Sequence, residues 1–103
     1  MKKEDLLEYL ARHCQGRGQA MSSQELERKL RISENELRRQ VNRLRQEGKP
    51  IASGRNGYFY ARTAGEIYGT IQILKKMRAG LDRVIAGLER ALDSFSRGGD
   101  SYR

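Results

Sequence analysis

"SSQELERKLRISENELRRQVNRLRQEG", residues 22–48, holds the same punctuation twice. Ser22 is followed three residues later by Glu25, and Ser33 by Glu36. In each case a hydroxyl can accept from a backbone N–H of the first turn, the pattern of a capping box. Met21 with Leu26, and Ile32 with Leu37, hold the flanking positions of a hydrophobic staple. Two helices are therefore expected, one over "SQELERKL" with Leu26 and Leu30 turned inward, the other over residues 34–47 and stopped by Gly48. Only "RIS" separates them, which is the spacing of a helix-turn-helix.

Upstream, "KKEDLLEYLARHC" carries Leu6, Leu7 and Leu10 as a narrow apolar stripe, with acidic residues in its first turn, where the helix dipole favours them. "QGRG" ends this helix, and "QAM" is expected as a brief edge strand. Downstream, "PIAS" and "YFYAR" read as two strands joined by "GRNG". Asn-Gly favours a two-residue turn with positive φ at both positions, and Arg55-Asn56 is the alternative turn centre. In either register Ile51, Tyr58 and Tyr60 share one face, while Ala52 and Phe59 share the other.

A third box, Thr63 with Glu66, opens the longest helix. Ile67, Ile71, Leu74, Leu81, Ile85, Leu88, Leu92 and Phe95 recur along it at alternating gaps of a heptad seam, interrupted by Arg78. Met77, Val84 and Ala91 widen the stripe, and four glycines weaken the helix. The seam predicts a homodimer through Ile67, Ile71, Leu74, Arg78, Leu81, Ile85, Leu88 and Leu92. The alternative is a helix that bends at Arg78–Gly80 and folds back. The expected organisation is a domain over 1–62, the amphipathic helix over 63–96 and a polar, glycine-rich tail over 97–103.

The charge is unevenly placed. Of the net +8, residues 1–62 hold fourteen Lys/Arg against eight Asp/Glu, and residues 28–62 hold ten against three. Such a local excess points to a polyanionic partner. Setting Leu37 as zero and advancing about 100° per residue, Val41 and Leu44 fall beside it as a buried face. Asn35, Arg39, Asn42 and Gln46 lie opposite, with Arg38 and Arg43 on the flanks. Arginine suits guanine and phosphate, and asparagine and glutamine suit adenine. The competing reading is an ordinary solvated basic face.

One cysteine, Cys14, leaves no intramolecular disulfide, and one histidine, His13, leaves no set of zinc ligands. The His13-Cys14 pair has no third partner for catalysis. No nucleophile–base pair, carboxylate pair or phosphate-binding glycine loop is present, so neither enzyme activity, a cofactor, a metal nor a small-molecule ligand is expected. No apolar run is long enough for a leader or a membrane span, so a cytoplasmic protein is expected.

Helix, weak strand, helix, turn, helix, hairpin is the order of a winged helix-turn-helix. "SSQELERKLRISENELRRQVNRLRQEGKPIASGRNGYFYA" resembles the DNA-binding domain of biotin-repressor-like and DeoR-like regulators, with their "L-x-I-S" turn, "V-x-x-L-R-x-x-G" helix and "G-x-G-Y" wing. The resemblance covers about forty residues closely, about sixty with the first helix. It implies a mainly α fold with a small β-hairpin, followed by the long helix, and binding of double-stranded DNA. Helix 34–47 would enter the major groove, with hairpin 50–62 as the wing. Ser33, Asn35, Arg38, Arg39, Asn42 and Arg43 would be the contacts on the helix, and Arg55 and Asn56 those on the wing. Two positions depart from the family. Arg31 stands where such turns usually carry glycine, which predicts a left-handed backbone there. "GRNGY" is one residue longer between its glycines than the family form.

In those families a ligase or sugar-sensing domain follows; here the expectation is the long helix instead. The resemblance therefore implies a dimeric transcription regulator of the kind found in bacteria and their prophages. Two other readings stay open: a phage DNA-packaging component, since the plan also resembles terminase small subunits, and a protein-interaction adaptor whose basic face is incidental.

Overall fold

The computed structural model describes residues 3–97, with side chains over 5–95. The start of the quoted first helix at Lys2, and the expected tail beyond Arg97, lie outside the described residues. The chain is mainly helical with one two-stranded hairpin. It divides into two compact units, Met1–Thr70 and Ile71–Arg103. The elements are α1 (Lys3–His13), a 3-10 turn at Arg17–Gln19, α2 (Ser23–Leu30), α3 (Glu34–Gln46), β1 (Ile51–Gly54), β2 (Gly57–Tyr60) and α4 (Ala64–Arg97).

In the first unit both expected caps form. The Ser22 hydroxyl accepts from the Glu25 N–H at 3.2 Å, and Ser33 from Glu36 at 3.1 Å. Between the two helices Arg31 sits in the left-handed region at φ 57°, ψ 48°. The Ile32 N–H reaches back to the Glu27 carbonyl at 3.1 Å, closing the end of α2 in the Schellman manner. A non-glycine residue in this conformation costs about 1–2 kcal/mol. The return is a three-residue turn that lets α2 and α3 pack against each other.

α3 ends in the same way, now on a glycine. Gly48 takes φ 85°, its N–H bonds to the Arg45 carbonyl, and the Lys49 N–H bonds to that of Leu44, both at 3.0 Å.

The strands are antiparallel, with Ile51 opposite Tyr60, Ala52 opposite Phe59, and Gly54 opposite Gly57. Arg55-Asn56 is therefore the turn centre. Asn-Gly does not form the two-residue turn with paired positive φ. Among the described residues Arg31 is the one non-glycine with positive φ, and at the hairpin that conformation falls on Gly57, at 124°. Gly57 also lies tight against the preceding chain: a Cβ there would overlap the Met21 carbonyl and come within 2.7 Å of the Ser22 nitrogen.

The expected edge strand shrinks to single bridges. Met21 exchanges two backbone hydrogen bonds with Tyr58, at 3.0 and 2.9 Å. Tyr60 receives Gly16 and donates to Cys14, at 2.8 and 2.7 Å. The 3-10 turn and the Ser22 cap occupy the residues a longer strand would need. The outer edge of β2 is nonetheless covered, which removes a site for unwanted pairing.

The core is Leu6, Leu10 and Cys14 from α1 and its exit, Leu26 from α2, Leu37, Val41 and Leu44 from α3, and Ile51, Ala52 and Phe59 from the hairpin. The first turns of α4 belong to this unit, so the division falls after Thr70 rather than at the expected 62/63. Three side chains bind those turns down. Glu66 accepts the Arg62 N–H at 2.7 Å and the Arg17 N–H at 2.9 Å. Ile67 packs against the core. The Thr70 hydroxyl, buried, accepts from the Ser53 N–H at 3.1 Å.

In the second unit α4 is one helix through Arg78–Gly80, where the fold-back alternative placed a bend. Its apolar side chains from Ile71 to Phe95 are exposed, Leu81 at 63% and Leu88 at 66%.

Candidate nucleic-acid interface

α3 separates its two faces as its sequence requires. Leu37, Gln40, Val41 and Leu44 are buried, and Asn35, Arg38, Arg39, Asn42, Arg43 and Gln46 are exposed. Gln40 was not expected inside. Its amide donates to the Glu36 carboxylate at 3.0 Å, one turn back. Ser33, at the N-terminus of α3, is exposed, but its hydroxyl is already engaged as the cap.

Two of the exposed arginines are held by carboxylates of their own helix, Arg38 by Glu34 at 2.6 Å and Arg39 by Glu36 at 3.1 Å. Pairs this exposed add little stability and exchange readily for another anion. The hydrogen bond from Gln40, followed by the charges of Arg39 and Arg43, holds the Glu36 carboxyl below the usual carboxylate range. Glu36 thus stays ionised near neutral pH and keeps Arg39 along the helix surface.

The hairpin presents Arg55 and Asn56 at its tip, both exposed. What fixes the hairpin relative to α3 is Arg45, which is not among the residues expected at the interface. Its Nε donates to the Ile51 carbonyl at 2.9 Å and its Nη2 to the Ser53 hydroxyl at 3.1 Å. Its guanidinium carbon lies 5.8 Å from the centre of the Tyr58 ring, within range of a cation–π contact. Burial lowers the pKa of this guanidinium. The signal was available: Arg45 falls about 80° from Leu37 on the helical wheel, at the edge of the buried face rather than on the outer one. Thr70 then ties the backbone of the same strand to α4, as does no residue singled out from sequence.

The ten cations of residues 28–62 are therefore not equivalent. Arg45 is structural, Arg38 and Arg39 are paired along α3, and Arg43 and Arg55 are exposed. The resulting surface can offer guanidinium and amide groups to a phosphodiester backbone and to base edges.

The His13-Cys14 pair carries no comparable chemistry. Cys14 is buried and burial pushes its thiol pKa up, the opposite of a reactive thiolate. His13 packs against the Tyr9 ring, with centroids 4.7 Å apart. Among the described residues no group of three or more His, Cys, Asp or Glu could hold a metal ion. None of the described helices is long and apolar enough to cross a membrane.

Comparison with family models, curated proteins and solved structures finds no match to this chain.

Proposed function

We propose that the first unit is a winged helix-turn-helix module that binds double-stranded DNA, with α3 in the major groove and the hairpin as the wing. The chain acts as a cytoplasmic transcription regulator that dimerises through α4, and not as an enzyme. One observation carries the reading. The outer face of α3 is an uninterrupted set of exposed Arg, Asn and Gln side chains, directly behind a capped helix-turn-helix and directly ahead of a hairpin with arginine at its tip. Arg39 and Asn42 are the base-reading candidates, and Arg43 and Arg55 the phosphate contacts.

A salt titration of duplex binding tests it. Each neutralised phosphate contributes about −0.9 to the log–log slope, so four or five contacts predict a slope of about −4. Arg55→Ala should weaken binding to all sequences and lower the slope by about 1, whereas Arg39→Ala should relax the choice of sequence. Salt-independent binding, or none at low ionic strength, would remove the DNA reading.

A further inference from the structure

In the second unit most of the exposed apolar residues form one stripe on one helix, with Ile71, Arg78, Ile85 and Leu92 at a positions and Leu74, Leu81, Leu88 and Phe95 at d, while Ile73 lies outside it at c. The charges along this helix are asymmetric. Lys75, Lys76 and Arg78 crowd its first half, while Asp82, Glu89 and Asp93 fall at its centre and in its second, where Arg83 and Arg90 occupy f positions that face away from the seam. All of these are exposed. A helix paired with a second copy of itself therefore meets different surroundings in the two possible orientations.

In a parallel, in-register pair each a residue faces itself. Arg78 would meet the partner's Arg78 inside the seam, with both copies of Lys75 and Lys76 within one turn. The g positions that should answer charge at e are Met77 and Val84, so the partner offers no g-position charge against the repulsion, and the nearest carboxylate is Asp82, one turn on along the same helix. Sliding one helix to avoid this contact breaks the two-fold axis and leaves an open-ended association.

An antiparallel pair has one register in which every a residue faces a d residue. Ile71 lies opposite the partner's Phe95, Leu74 opposite the partner's Leu92, and Leu81 opposite the partner's Ile85. Arg78 then faces the partner's Leu88. It can lay its methylene stem on that leucine and extend its charge toward the partner's Glu89. Lys75 at e comes beside the partner's Glu89, twice by symmetry. On the opposite flank Val84 meets the partner's Val84. The one like-charge contact is Asp82 with the partner's Asp82, at the axis and open to solvent.

Resting on the dimer proposed above, we infer that α4 pairs antiparallel with a second copy of this chain, centred near Arg83, and that Arg78 selects this orientation. The two Ile71 ends then lie at opposite ends of the pair, about 36 Å apart at 1.5 Å per residue.

Sedimentation equilibrium of the full chain comes first, and a monomer at every concentration would overturn both the dimer and its orientation. Single-cysteine variants then read the orientation under mild oxidation, with the wild-type chain, whose Cys14 is buried, as control. Val84→Cys should crosslink to itself and Leu74→Cys should not, while a mixture of Leu74→Cys and Leu92→Cys should crosslink to each other. Self-crosslinking of Leu74→Cys without that of Val84→Cys would overturn the antiparallel pair and leave the dimer standing. Charge reversal is an independent readout. Lys75→Glu or Glu89→Lys alone should raise the dimer dissociation constant about tenfold, and the two together should restore it to within about threefold. Failure of the double variant to recover would count against the pairing of these two residues.

Discussion

The first unit and the second contain the same kinds of apolar side chain and treat them in opposite ways. In the first, Leu6, Leu10 and Leu26 are wholly buried and Phe59 almost so. In the second, Ile85, Leu81 and Leu88 are 52%, 63% and 66% exposed. The difference is one of arrangement. Short helices and a hairpin present apolar faces from several directions, so they close on one another within a single chain. A lone helix presents one stripe and has, among the described residues, no second element of its own unit to bury it against. Folding of the first unit is therefore an intramolecular property, whereas burial of the α4 stripe requires another surface.

The sharpest test of that contrast removes the centre of the first core. Phe59→Ala should cost about 3–5 kcal/mol, a large part of what a domain this small possesses. Urea denaturation followed on a first-unit probe would show it, with no dependence on protein concentration. The complementary change, Leu81→Asp, should raise the dissociation constant of the proposed dimer about a hundredfold, because two carboxylates would enter the seam. It should leave the unfolding midpoint of the first unit in place at low concentration. If Leu81→Asp unfolds the first unit, the two regions are not independent and the contrast is wrong.

Gly57→Ala comes next. The added methyl would meet the Met21 carbonyl at a backbone φ that disfavours L side chains. A loss of about 2 kcal/mol is expected from strain and from the broken bridge to Tyr58. A neutral Gly57→Ala would mean that the covered edge of β2 contributes little.

Much of this was legible in the sequence, and the reasons are local. A serine hydroxyl three residues before a glutamate acts within one turn, so "S-x-x-E" announced α2 and α3 without tertiary knowledge. Helical periodicity placed Leu37, Val41 and Leu44 inside and Asn35, Arg39 and Asn42 outside for the same reason. The left-handed Arg31 followed from the resemblance instead, since such turns usually carry glycine there. What escaped depends on residues distant in the chain. The choice between the two turn centres left open by the sequence falls on Arg55-Asn56, with Gly57 packed against the Met21–Ser22 backbone, a contact that local turn preference does not see. Arg45 reads as one more surface cation until Ile51 and Ser53 are brought over it. Ile67 counts as a seam residue by spacing alone, yet it packs against the first core. Thr70 and Glu66 extended the first unit beyond the expected break because their partners, Ser53 and Arg17, lie far back in the sequence.

Glu66 gives the smallest of the effects and sharpens where the first region ends. The backbone N–H of Arg62, and then that of Arg17, hold its carboxyl below the usual carboxylate range. A carboxyl depressed on folding stabilises the fold at pH values above its unfolded pKa, and that contribution disappears as the pH falls through its folded pKa. First-unit stability should therefore decline on acidification below the ordinary carboxylate range. Glu36, depressed mainly by the hydrogen bond from Gln40, adds a decline of the same sign. Glu66→Gln separates the two, since a neutral amide has one acceptor oxygen for two backbone donors and does not titrate. The variant should be less stable than wild type at neutral pH, and the two stability curves should converge in acid, with the Glu36 part of the slope left in both. Curves that stay parallel through the acid range would show that Glu66 does not anchor α4, leaving Ile67 and Thr70 to hold its first turns.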